Sequence, residues 1–277
     1  MFALRLWSRL PLWFVQGCGA LAGWLAFLAS PSYRRRLLDN ARLAGVRPWG
    51  AVAQAGCMLA ELPWMWLRPA GRPLPLRWDG VERVEQALGA GRGLLLLTPH
   101  MGCFEAAAQA AAERFGASAP ITVLYRPARK DYLKALVAAG REREHLRAAP
   151  ATLSGVRQML RALRAGEIVG LLPDQVPPDG LGVWAPFFGR PAYTMTLAAR
   201  LLQQTGAPAL AVWCERLAWG RGFVLHVRAF QELPEPVEAE AAATRVNGAM
   251  EALIREAPAQ YLWGYNRYKA PPRAPAA

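Results

Sequence analysis

From Leu10 to Ala29 the chain reads LPLWFVQGCGALAGWLAFLA, twenty residues with no charge and a single polar amide, Gln16. A helix of that length measures about 30 Å, the thickness of a bilayer's hydrocarbon core. The run is bracketed by Arg5 and Arg9 before it and by Arg34, Arg35 and Arg36 after it. A cleaved signal peptide has a shorter apolar region, and cleavage after Ala29 would put Phe27 where a small residue is needed, so an uncleaved membrane anchor is the expectation. Pro11, Gly17, Gly19 and Gly23 weaken a straight helix and leave a buried or interfacial hairpin open. The larger positive cluster, the arginine triplet with Arg42 and Arg47, lies after the run and places the main body in the cytoplasm, although Arg5 and Arg9 blunt that bias. Ala51 to Leu67 is apolar nearly all round and fits an interfacial helix and a buried core helix equally well.

With 277 residues, 53% hydrophobic and 19% charged, the chain is neither disordered nor fibrous and makes one large domain or two small ones. Its 33 basic against 20 acidic residues leave a net charge of +13, which attracts nucleic acid, anionic lipid or an acidic protein. Nucleic acid is disfavoured: no recognition motif is present, the arginines are spread along the chain, and the apolar run would have no use. The four cysteines, Cys18, Cys57, Cys103 and Cys214, are scattered without a CxxC pair, so neither a disulfide framework nor a metal site is expected, and a reducing compartment is.

Beyond residue 70, short apolar runs alternate with longer periodic ones, the pattern of an α/β sheet flanked by helices. Strands are expected near Gly93–Leu97, Ile121–Tyr125, Ile168–Leu172, Pro208–Cys214 and Phe223–Val227. Helices are expected over Val81–Leu88, Phe104–Arg114, Asp131–Leu146, Leu153–Ala165, Thr196–Thr205 and Ala239–Glu256. The expected organisation is an anchor over 1–30, interfacial helices over 31–70, a catalytic α/β domain over 71–269 and a disordered Pro/Ala-rich tail over 270–277.

In open α/β sheets, chemistry gathers where strands end and helices begin. An apolar strand stops at Pro99 and hands His100 to the loop, with Glu105 five residues on at the start of a helix. A histidine with a carboxylate to fix its tautomer is a minimal general-base dyad, able to strip a proton from a hydroxyl. The spacing is equally compatible with a loop-capping His100 and a Glu105 that only favours the helix N-terminus. Nothing in the sequence lowers the pKa of Cys103, so a covalent role for it is not expected. Arg126, at another strand end, suits an anion clamp, and Asp174 and Gln175, after a third strand, suit substrate positioning or loop bracing. Phe187 and Phe188 fit the core better than an acyl path.

The run His100-Met-Gly102-Cys-Phe-Glu105 matches the HxxxxD/E signature of the glycerolipid and lysophospholipid acyltransferases, and further matches follow in order. They are Tyr125-Arg-Pro, Leu172-Pro-Asp-Gln175, Ala185-Pro-Phe-Phe-Gly189 leading to Pro191-Ala-Tyr-Thr194, Gln260-Tyr-Leu-Trp263, and Arg267-Tyr-Lys269. Together with the N-terminal apolar run and the basic stretch Tyr33–Asn40, the chain resembles the bacterial lipid A late (secondary) acyltransferases, the lauroyl and myristoyl transferases. It departs from that family's pattern at Cys103 and Phe104 and at Arg129-Lys130.

The resemblance implies a glycerolipid acyltransferase-like mixed sheet with an N-terminal membrane anchor. It implies transfer of an acyl chain from an acyl carrier protein thioester to a hydroxyl of a lipid A precursor, at the cytoplasmic face of the inner membrane, without metal or cofactor. His100 would be the general base, Glu105 its partner, and Gly102 would hold the loop open so that backbone N–H groups approach the reacting centre. Arg126, Asp174 and Gln175 would bind substrate. An ornithine lipid, a lysophospholipid or another glycolipid is the alternative acceptor, and a non-catalytic membrane scaffold the alternative of a different class.

Overall fold

The structure, a computed structural model, describes residues 2–69, 72–125, 144–233 and 238–271. Its chain begins with four helices, α1 (Phe2–Trp7), α2 (Leu12–Ala29), α3 (Pro31–Leu43) and α4 (Trp49–Trp66). β1 (Leu76–Asp79), α5 (Val81–Gly89), β2 (Leu94–Leu97), α6 (Phe104–Phe115) and β3 (Ile121–Tyr125) follow. Then come β4 (Leu146–Pro150), α7 (Leu153–Arg164), β5 (Ile168–Leu171) and the hairpin β6 (Gly182–Phe187) with β7 (Arg190–Met195). The described chain closes with α8 (Leu197–Thr205), β8 (Ala209–Arg216), β9 (Phe223–Ala229) and α9 (Ala239–Glu256).

The expected α/β class holds: a seven-stranded mixed sheet in the order β1-β9-β8-β2-β5-β3-β4, parallel except where β8 meets β9 antiparallel, is flanked by helices. The four consecutive leucines of β2 are all buried, as a central parallel strand covered on both faces requires. Leu95 and Leu97 face a core shared with α3, α7 and α9, whereas Leu94 and Leu96 face one shared with α6. The chain leaves β2 toward β3 on one side and leaves β5 toward β8 on the other. The carboxyl ends of β2 and β5 therefore form a topological switch point, where α/β sheets open a crevice.

The five expected strands and five of the expected helices are present, displaced by a few residues at their ends. The helix expected over Asp131–Leu146 falls largely outside the described residues, and Leu146 itself opens the edge strand β4. β1, β4, β6 and β7 were not expected; they are short and mix Arg, Pro and Gly into their pattern, and pairing with distant partners defines them.

Among the described residues α2 is the one helix long and apolar enough to cross a membrane. One side of it nevertheless packs along α4, burying Leu12, Val15, Gln16, Gly19, Gly23 and Phe27. The approach is backbone to backbone: a Cβ on Gly56 of α4 would collide with the Gly19 carbonyl oxygen, and one on Gly23 with that of Val52. The other side of α2 leaves Trp13, Leu21, Leu25 and Leu28 exposed.

Candidate functional site

The register of β2 against β5 pairs Leu97 with Leu171, so three residues beyond each strand end His100 and Asp174 lie side by side. The Asp174 carboxylate grips His100 at two points. Oδ2 accepts the His100 backbone N–H at 3.0 Å, and Oδ1 lies 2.7 Å from Nδ1. Burial, at 2% exposure, works to raise the Asp174 carboxyl, yet His100 beside it and Arg267 farther on hold it below the usual carboxylate range. An ionised Asp174 can only accept, so Nδ1 carries the ring proton of the neutral imidazole and Nε2 is left with its lone pair. The Gln175 side-chain amide, 3.0 Å from Nε2, donates to that lone pair. The tautomer follows from this network, and it is the one a general base needs.

Asp174 thus sets a carboxylate against the ring, a partner that local spacing, which offered Glu105, did not display. The partner arrives across 74 residues of sequence through strand pairing, which a five-residue motif cannot display. Glu105 is buried in the first turn of α6, where its charge opposes the positive end of the helix. Asp174 and Gln175 both lie against the His100 ring, and the bond from the His100 backbone N–H to Asp174 is a loop-bracing contact. Arg126 lies outside the described residues.

Gly102 sits at φ +57°, and a Cβ there would collide with the Cys214 carbonyl oxygen. The positive φ and the close approach to β8 both require a glycine here. Its own N–H donates to the Gln260 carbonyl at 2.9 Å and its carbonyl accepts from Arg216 Nη2 at 2.9 Å, so both backbone groups of Gly102 are engaged within the fold. Cys103 is fully buried, and that burial pushes its thiol well above the ordinary value, which removes the thiolate a covalent role would need.

Behind the loop lies a buried ion pair that the sequence did not advertise. Arg216 at the end of β8 donates through Nε and Nη2 to the two carboxylate oxygens of Glu61 on α4, each at 2.6 Å, and through Nη1 to Gln54 at 2.6 Å. Gln16 of α2 completes the network, donating to Glu61 at 3.0 Å and accepting the Gly220 N–H at 2.9 Å. The polar residue of the apolar run therefore points into the domain and ties α2, α4 and β8 to the histidine loop.

A second cluster stands behind Asp174. The buried Arg267 donates to the Tyr193 carbonyl and the Thr194 hydroxyl, both at 2.7 Å, and its charge helps to keep Asp174 ionised. Burial and the neighbouring Asp174 charge push the Tyr261 phenol well up, so it stays protonated beside the carboxylate. Phe187 and Phe188 are core, packed with Tyr261, Trp263 and Tyr268. On the opposite side α3 reaches the same C-terminal segment, Asn40 donating to the Trp263 and Tyr265 carbonyls at 2.7 and 2.9 Å. Tyr261 and Arg267 were visible in the sequence only as parts of ordered motifs, without a role.

Residues 49–270 match the family described as bacterial lipid A biosynthesis acyltransferase. Over 221 residues, 78% of this chain and 69% of the relative, the sequence is 28% identical to the lipid A biosynthesis lauroyltransferase of Escherichia coli K12. The same figures hold for the lipid A biosynthesis palmitoleoyltransferase of that organism. A lipid A biosynthesis acyltransferase of Haemophilus influenzae is 24% identical over 188 residues, 66% of this chain and 56% of the relative.

Proposed function

Since the chain belongs to the bacterial lipid A biosynthesis acyltransferase family and is an acyltransferase of lipid A synthesis, we propose that His100 Nε2 is its general base and Asp174 the carboxylate that orients and charges it. The acceptor hydroxyl takes the place that the Gln175 amide holds at Nε2. As its oxygen attacks the thioester carbonyl, its proton passes to Nε2, and the imidazolium is stabilised by Asp174 at Nδ1. The tetrahedral oxyanion then collapses, the C–S bond breaks, and the imidazolium returns the proton to the leaving thiolate. Gln175, displaced from Nε2 but still adjacent, is placed to donate its amide N–H to the oxyanion. Glu105 supports the loop from the start of α6, and Arg126 serves as the clamp for an anionic group of the substrate.

The donor is an acyl carrier protein thioester, an acidic partner suited to a chain of net charge +13. The acceptor is the hydroxyl of a 3-hydroxyacyl chain on a lipid A precursor. The exposed apolar side of α2, with arginines at both ends, supports association with the inner membrane, and the larger arginine cluster after it favours the cytoplasmic face. The single observation that carries the mechanism is the two-point hold of Asp174 on His100.

The test is mass spectrometry of whole lipid extracts from host cells carrying the wild-type protein or His100→Ala. One acyl chain missing from otherwise intact lipid A in the variant is the expected result. Intact lipid A with a chain missing from an ornithine lipid or a phospholipid would move the acceptor. No change in any lipid, with both proteins expressed equally, would overturn catalysis by His100 and favour a scaffold.

A further inference from the structure

β8 and β9 are joined by the turn Leu217–Gly222, and at its tip Trp219 is 86% exposed with φ 62° and ψ 31°. That is the left-handed region, which bulky residues avoid and occupy only where their surroundings hold them there. The surroundings do so here. Leu217 N–H donates to the Gly222 carbonyl at 3.0 Å, and Gly220 N–H donates to the Gln16 side chain of α2 at 2.9 Å. Gly220 also lies so close to α2 that a Cβ on it would collide with the Trp13 backbone nitrogen. The turn is thus clamped to the first turns of the apolar helix, and it presents a large indole to the outside in a strained conformation. Neither the strain nor the exposure helps the isolated protein to fold.

The helix it touches, α2, presents Trp13 at 59%, Leu21 at 63% and Leu28 at 64% exposure along its outer side, and Leu59 of α4 is 64% exposed. Arg221 flanks Trp219 within the turn, and Arg5 and Arg9 precede the helix; all three are exposed. Indole rings favour the headgroup level of a bilayer, where the apolar body is buried and the ring N–H stays wet, and arginines beside them meet lipid phosphates.

We propose that Trp219 is an interfacial anchor, inserting into an anionic phospholipid surface together with the outward side of α2. The proposal rests on the membrane association argued above and adds a point of attachment that belongs to the catalytic sheet. Because β8 also carries Arg216, which bonds the Gly102 carbonyl, the anchor sets the histidine loop at a fixed distance from the lipid.

The test uses the purified full chain and flotation with phosphatidylglycerol/phosphatidylethanolamine vesicles, comparing the wild type with Trp219→Gly. Glycine adopts the left-handed turn without strain, so the variant should melt no lower than the wild type, and lost binding cannot be put down to unfolding. Its vesicle partition coefficient is expected to fall about tenfold, equivalent to about 1.4 kcal/mol. Brominated lipid should quench wild-type fluorescence more than that of Trp219→Phe. Equal partition of wild type and Trp219→Gly, with no difference in quenching, would overturn the anchor while leaving the membrane reading in place. A wild type that does not float at all would overturn both. A self-associating wild type made monomeric by Trp219→Gly, with partition unchanged, would overturn the lipid in favour of a second copy of the chain.

Discussion

Replacing Asp174 by asparagine keeps size and shape but removes one acceptor. In the wild type the two carboxylate oxygens accept separate donors, the His100 backbone N–H at 3.0 Å and the imidazole Nδ1–H at 2.7 Å. An asparagine has one oxygen, so one of these donors must face its NH2 group. The backbone N–H cannot change its chemistry, whereas the ring can. The stable arrangement therefore keeps the oxygen on the backbone N–H, turns the NH2 toward Nδ1 and moves the ring proton to Nε2. That tautomer has no lone pair where the acceptor hydroxyl arrives. The equivalent Asp-to-Asn change in a serine protease triad lowers kcat about 10⁴-fold. We expect Asp174→Asn to lower kcat by about 10³- to 10⁴-fold, or about 4–5.5 kcal/mol in the barrier, with a melting temperature within a few degrees of wild type.

The assay is the initial rate of acyl transfer from an acyl thioester, run in parallel on Glu105→Gln, with ¹⁵N NMR of the imidazole to read the tautomer. A variant with asparagine at 174 that keeps a rate within about fivefold of wild type, while Glu105→Gln falls about 10³-fold, would refute the reasoning; factors of that size separate loss of an acid–base group from a small rearrangement.

Two further outcomes follow from other parts of the structure. Glu61→Ala leaves the buried Arg216 guanidinium without its carboxylate and should lower unfolding stability by about 3–5 kcal/mol, whereas the paired change Glu61→Leu with Arg216→Met should recover most of that loss in denaturant titrations. The depressed Asp174 carboxyl contributes stability that is complete above its unfolded value near pH 4 and is lost as pH falls through its lower folded value, so wild type should lose stability in that acid window and Asp174→Asn should lose less, as read by melting temperature against pH.

The periodic and strongly apolar elements were legible because they carry their burial locally: β2 is four leucines, and the regular helices show one apolar side each. The short strands were not, since β4 reads LRAAP and is a strand only because β3 offers it a parallel edge. At the site, His100 was legible as a histidine at a strand exit, and Asp174 and Gln175 as polar residues after another strand. What could not be read was their meeting, because the register of β2 on β5 fixes it. The same limit applies to Gln16, the single polar amide of the apolar run, which proves to be a bonded member of the domain's polar network.

That placement of Gln16 changes what the first thirty residues can be used for. Removing such a segment to obtain a water-soluble catalytic fragment is a natural strategy for an anchored enzyme. Here the cut would strip the cover from Gly56 and Glu61, leave the Arg216 ion pair open to solvent on one side and free the turn that carries Trp219. The truncated chain would expose a new apolar groove along α4 and lose rigidity at the backbone that supports His100. The sheet and α2 are therefore one packed unit, and solubility has to be engineered on the outer side of α2 rather than gained by deleting it.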